Sequence, residues 1–139
     1  MKTEFFEIEL QTTDGTDILD ITPEVEEKVL QSGVKVGNMT VFISGATAGV
    51  TTIEYESGAV NDLRRAIDGI APRNTVYEHD QKWGDGNGYA HVRASLLGPS
   101  LVVPIHDGKP LLGTWQQIVV LDFDNRPRRR KVVIQTMGE

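Results

Sequence analysis

The sequence predicts an α+β fold built mainly from antiparallel strands. Three observations point there. Several segments alternate apolar and polar residues, as half-buried strands do. Two early segments carry apolar residues at helical spacing instead. In the second half, strand-like runs are joined by connections too short for parallel crossovers. The 139 residues suit one domain, residues 1–139, with no repeat and no linker.

Thr3–Leu10 alternates, with Phe6, Ile8 and Leu10 on one face and Glu7 and Glu9 on the other, as in a strand. Asp14-Gly15 marks a turn. Thr22-Pro23 reads as a helix start, a capping hydroxyl followed by proline, and Gly33 as its stop. Asn38–Ser44 and Val50–Tyr55 read as strands around Gly45-Ala46-Thr47-Ala48-Gly49. Gly58–Ile70 reads as a helix, since Val60, Leu63, Ile67 and Ile70 recur at helical intervals. Asn74–Gly88 is a long polar stretch of the kind that often carries function. Four strands follow: Tyr89–Leu97, Leu101–Ile105, Leu111–Phe123 and Arg129–Met137, the last reached through Asp124-Asn125-Arg126-Pro127.

Composition narrows the function. There is no cysteine, which excludes a disulfide framework, a thiolate metal site and a cysteine nucleophile. No apolar run reaches spanning length and the N-terminal residues lack a signal-peptide core, so a cytoplasmic, membrane-free protein is expected. The net charge of −6 argues against nucleic acid as a partner. Arg126, Arg128, Arg129, Arg130 and Lys131 form the one basic cluster. It reads either as a solvated turn and strand edge or as a local phosphate contact.

The chemistry-bearing residues gather in the second half. Histidine occurs at only three positions, His79, His91 and His106. On the strand reading of Tyr89–Leu97, alternation puts His91, Arg93 and Ser95 on one face. Two imidazoles with a carboxylate such as Asp85 suit a zinc-type site, although the spacing matches no fixed metal motif; hydrogen-bonded histidines at an interface are the alternative. Gly84-Asp85-Gly86-Asn87-Gly88 allows close backbone approach to an anion, or is simply a turn. Gly45–Gly49 admits the same two readings, close approach by a ligand or another chain, or a tight bulge. Glu54 shares a strand face with Thr52 and either faces a cleft or is solvated. Thr114 and Gln116 point away from Trp115, toward a site or along an ordinary strand surface.

Asp85-Gly86-Asn87-Gly88-Tyr89-Ala90-His91 through Gly98-Pro99-Ser100 resembles the central signature of the YjbQ-like proteins, also called the secondary thiamine-phosphate synthase family. Leu111-Leu112-Gly113-Thr114-Trp115-Gln116-Gln117 resembles the second signature, and Ala48-Gly49-Val50-Thr51 with Glu54 an earlier one. The tail from Asp122-Phe123-Asp124 to Val132 continues the match, so the resemblance spans nearly the whole chain. It implies two packed, mainly antiparallel sheets with two helices, a homotrimer, and a polar site near a subunit boundary. It implies a weak activity that joins a pyrimidine diphosphate to a thiazole phosphate and releases pyrophosphate. Asp85, His91 and Glu54 are then the catalytic candidates. Thr47, Asn87, Arg93, Ser95, Thr114 and Gln116 are the substrate-binding ones. His79 and His91 are the ligands for a divalent ion, zinc or magnesium. One departure stands out: many members carry His-Thr-Thr where this chain has Gly45-Ala46-Thr47. That loss points to the alternative, a non-enzymatic trimer holding a metal or a small anion.

Overall fold

A computed structural model describes residues 1–139. The strands are β1 (Lys2–Gln11), β2 (Asp17–Asp20), β3 (Val36–Ile43), β4 (Ala48–Ile53), β5 (Ser100–His106), β6 (Lys109–Pro110), β7 (Gln117–Asp122) and β8 (Arg129–Gly138). The helices are α1 (Thr22–Ser32), α2 (Ser57–Ile70), α3 (Glu78–Trp83) and α4 (Gly88–Leu97). The strands form a five-stranded sheet in the order β1-β8-β3-β5-β6 and a three-stranded sheet in the order β2-β7-β4. Every pairing is antiparallel. No helix is long and apolar enough to cross a membrane.

The small sheet is the middle layer. Residues on opposite faces of a strand alternate, and β7 buries both sets. Ile118 and Val120 enter one core with β3, β5, β8 and the Val25–Val29 face of α1. Val119 and Leu121 enter a second core with Tyr89, Ala90 and Ala94 of α4, closed by Leu63 and Ile67 of α2. Such a strand reads as a continuous apolar run, which Ile118–Leu121 is.

Four of the sequence expectations change. Four helices are present rather than two. The largest correction is Tyr89–Leu97, which is helix α4 and not a strand. Its buried residues, Tyr89, Ala90, Arg93 and Ala94, recur at helical intervals, and alanine and leucine favour helix. Over nine residues the alternation of His91, Arg93 and Ser95 also fits a strand; the Ala90–Ala94 stripe packed on the small sheet decides it. His91 and Arg93 therefore stand about 200° apart around the helix instead of side by side.

Within Asn74–Gly88 lies the short helix α3, stopped by Gly84 at φ 72°. Leu111–Gln116 is irregular, and the strand predicted from Leu111 begins only at Gln117. Thr22 does not cap α1: its hydroxyl accepts the Ile118 N–H at 2.8 Å, while the Asp20 carboxylate accepts the Thr22 N–H at 2.9 Å.

Candidate functional site

The predicted candidates fall into three places. Thr47, His79, Asp85, Asn87 and His91 line one polar cleft of about 460 Å³. They come from the β3–β4 turn, α3, the glycine-containing loop and the first turn of α4. The rest of the wall is Gly45 and Ala46 beside Thr47, with Asn125, Arg126, Arg128 and Arg130 from the turn into β8 and its first residues.

The floor of the cleft is a buried ionic network. Asp124 is fully buried and gathers four donors. Its carboxylate accepts from Thr47 Oγ1 at 3.1 Å, Asn87 Nδ2 at 3.3 Å, Arg128 Nε at 2.8 Å and the Asn125 N–H at 2.8 Å. Asp122, equally buried, accepts from Arg130 Nε at 2.5 Å and from the Asp124 N–H at 3.1 Å. Arg130 Nη2 then donates to Thr47 Oγ1 at 2.5 Å, which closes the circuit.

The two acids respond differently. Burial raises the Asp122 pKa, and the Arg130 hydrogen bond and charge offset that only in part. Burial pushes Asp124 upward too, but the Arg128 guanidinium, the Asn125 N–H, Asn87 and Thr47 outweigh it and hold the carboxyl below its usual value.

The upper wall is less satisfied. The His79 and His91 rings lie 4.5 Å apart between centroids and are tilted by 46°. His79 Nδ1 is buried without a hydrogen bond; the nearest carboxylate oxygen, Asp80 Oδ1, is 3.5 Å away and already accepts the Gly88 N–H at 2.8 Å. Asn87 Oδ1 is also buried and unpaired. Buried polar atoms without partners are rare, and two of them belong to residues that line this cleft.

As metal ligands the two imidazoles stand alone. No group of three or more histidine, cysteine or acidic side chains converges anywhere in the chain, and a catalytic zinc site uses three protein ligands. Gly45 accounts for part of this. It has φ 115°, and a Cβ there would lie 2.6 Å from Arg130 Nη1. The guanidinium thus occupies the space into which a side chain at position 45 would grow.

The other candidates lie elsewhere. Arg93 is buried on the far side of α4 and bonded to Ala71 O, Thr16 Oγ1 and Asp68. Ser95 is an exposed helix residue outside the cleft. Glu54, Thr114 and Gln116 sit at the opposite end of the β4–β7 pair, since Ala48 pairs with Asp122 but Ile53 with Gln117. The six residues of β4 separate Thr47 from Glu54, seven steps along the chain or roughly 23 Å. Gln116 donates to Thr52 Oγ1 at 3.2 Å and accepts the Gly113 N–H at 3.0 Å. Trp115 beside it is 74% exposed. The close approach expected around Gly49 is internal: a Cβ there would meet Leu97 and Gly98 at the end of α4.

Asp122, Asp124 and Asn125 are absent from the candidates that sequence reasoning picked. The available signal was the spacing of Asp122 and Asp124 against Arg128 and Arg130, two acids and two bases each sharing one strand parity.

Comparison with known proteins agrees with this architecture. The family model described as UPF0047 protein YjbQ-like matches residues 6–139. A UPF0047 protein of Archaeoglobus fulgidus is 37% identical over 94% of this chain and 99% of its own length. UPF0047 protein YugU of Bacillus subtilis is 34% identical over 94% and 97% respectively. Among solved structures, a YbjQ-like protein of unknown function from Sulfolobus solfataricus superposes with a TM-score of 0.89 at 28% identity, covering 99% of both chains. A YjbQ/UPF0047 protein from Clostridium acetobutylicum gives 0.86 at 35% identity, over 95% of this chain and 99% of that one.

Proposed function

The chain belongs to the YjbQ-like UPF0047 family, and we propose that its histidine cleft binds a small phosphorylated molecule and promotes departure of a phosphate-bearing leaving group. The observation that carries this reading is the cleft itself: two adjacent imidazoles, an acid and three arginines, with His79 Nδ1 and Asn87 Oδ1 of two lining residues left unpaired. Arginine suits phosphate because its planar fork donates two parallel hydrogen bonds.

The reaction we assign is of the thiamine-phosphate synthase type. A thiazole nitrogen lone pair forms a C–N bond to the methylene carbon of a pyrimidine diphosphate. The C–O bond to the diphosphate breaks, and its electron pair leaves with pyrophosphate. Arg126 and Arg128 would neutralise charge developing on that group. His91, or His79 beside it, would supply a proton to it, and Asp85 would orient that proton donor. The protein's own donors for a metal stop at two imidazoles, so no step here depends on one. Purified protein given both phosphorylated substrates is expected to form thiamine phosphate and pyrophosphate. Unchanged turnover in His91→Ala and Asp85→Asn would defeat the assignment.

A homotrimer is part of the proposal. Glu54, Thr114 and Gln116 are too far from the cleft to act in it within one chain, and a neighbouring copy would bring them to it. Exposed Val102, Leu111 and Trp115 surround Gln116 with apolar surface suited to such a contact. Light scattering should give three times 15.4 kDa, with Trp115→Ala shifting the distribution toward smaller species; a lone 15.4 kDa particle for the unmodified protein refutes it.

The second reading, a binding module without turnover, is favoured by Gly45 and the short donor set. Uptake of a divalent ion or phosphate in calorimetry, with no product from either substrate, would select it.

A further inference from the structure

On the far side of α4 from the histidine cleft lies a second cleft of about 420 Å³, lined by polar and charged residues apart from Pro72. Arg64, Arg73 and Arg93 converge on it with Asp68 and Thr16. We propose that this cleft is a second anion site, which takes a phosphate group.

The argument rests on how these guanidiniums are paired. Arg93 has a side chain only 2% exposed, and it is held on three sides. Its Nε donates to Ala71 O at 2.9 Å, Nη1 to Thr16 Oγ1 at 3.2 Å and Nη2 to Asp68 Oδ1 at 3.0 Å. Arg64 donates through Nη1 to the Thr16 carbonyl. Arg73 turns both Nη atoms to the Asp14 carbonyl at 3.3 Å. Carbonyls are neutral, so these bonds fix the forks without cancelling their charge.

Among the lining residues, three guanidiniums face one carboxylate, and that carboxylate is itself 60% exposed. The cleft is left with a formal excess of two positive charges, in a chain whose net charge is −6. Their positions are also fixed before any ligand arrives. Arg73 and Arg93 each hold a guanidinium carbon 5.0 Å from the centroid of the buried Tyr89 ring. Stapling the β1–β2 turn to α2 and α4 explains the single buried Arg93. The carbonyl bonds of Arg64 and Arg73 staple the same turn, but they leave two like charges uncompensated beside it, where they repel. A phosphate dianion matches the excess, and the donors that Arg64 and Arg73 leave free, their Nε–H groups among them, match its oxygens.

Titration with inorganic phosphate, followed by calorimetry and by the arginine Nε–H resonances, tests this. The resonances of Arg64 and Arg73 should shift in the unmodified protein and equally in His91→Ala, which separates this site from the histidine cleft. Arg73→Gln and Arg64→Gln, which leave the buried Arg93 intact, should each weaken the phosphate-binding step by about tenfold or more, the worth of a charge-assisted hydrogen bond. A parallel titration with glycerol phosphate identifies the source: tighter binding than phosphate points to an esterified ligand, weaker binding to the free ion. Absence of any shift at Arg64 and Arg73, or binding lost only in Arg128→Gln and retained in Arg73→Gln, would overturn the proposal.

Discussion

The floor and the upper wall of the histidine cleft are built on opposite terms. On the floor, Asp124 takes four hydrogen bonds and Asp122 two, all from residues that the network itself positions. On the wall, His79 Nδ1 and Asn87 Oδ1 are buried with nothing to bond. Asn87 belongs to both: its amide nitrogen is tied to Asp124, and its oxygen is left unpaired. The contrast separates rigidity from reactivity. A saturated ionic floor holds the lining residues in place, and the unsatisfied groups belong to the wall above it.

The harshest way to break this contrast is to remove the hub of the floor. Asp124→Ala leaves Arg128, Asn87 and Thr47 facing a vacant buried position. Removing one partner of a buried ion pair costs about 3–5 kcal/mol, so denaturant unfolding should show a loss of that order. A loss under about 1 kcal/mol, the range of surface pairs, would mean that the floor contributes little rigidity.

The wall should behave in reverse. His79→Gln and His91→Ala remove no hydrogen bond, so the unfolding midpoint should move little. The proposed transfer rate should instead fall by about 10²–10⁴, the usual worth of a positioned acid or base. Stability loss without rate loss in these variants would make the histidines structural.

Gly45 gives a smaller effect that tests the join between the two. Its φ of 115° is nearly closed to other residues, and a Cβ meets Arg130 Nη1 at 2.6 Å. Gly45→Ala should cost about 1–3 kcal/mol through backbone strain. Pairing it with Arg130→Ala tests whether the contact adds to that cost. If the double variant loses only the sum of the two single losses, strain alone accounts for position 45.

These residues also mark how far the sequence could be read. The outer strands were legible because one face is wet: Phe6, Ile8 and Leu10 against Glu7 and Glu9 show the pleat directly. Helix α2 was legible for the same reason, an apolar stripe on a polar cylinder. Helix α4 was not, because it lies against the small sheet with Ala90 and Ala94 inward, and its short run satisfies two periods at once. That error misplaced Arg93, which shares a strand face with His91 on paper but serves the opposite side of the helix. The meeting of His79 with His91 was anticipated; the floor was missed. Thr47 and Asp124 are 77 positions apart, and Thr47 and Arg130 are 83 apart. No local period links them, and only the β4–β7 register brings Ala48 opposite Asp122.

The gentlest test uses pH, because the two floor acids have opposite signs. Asp124 is depressed in the fold, so its stabilisation is full above the unfolded carboxyl pKa of about 3.9 and is lost as pH falls through the lower folded value. Asp122 is raised, mainly by burial. Its contribution is full below the unfolded value and is lost as pH rises through the folded one. The two slopes partly cancel in the unmodified protein. Asp124→Asn should therefore flatten the acid limb of stability against pH, and Asp122→Asn should steepen it. Unfolding midpoints taken on both sides of the unfolded carboxyl value of about 3.9 would show the divergence. Parallel curves for the two variants would mean that the acids titrate as one unit, and that Arg130 and Arg128 share a single pair of charges rather than holding one each.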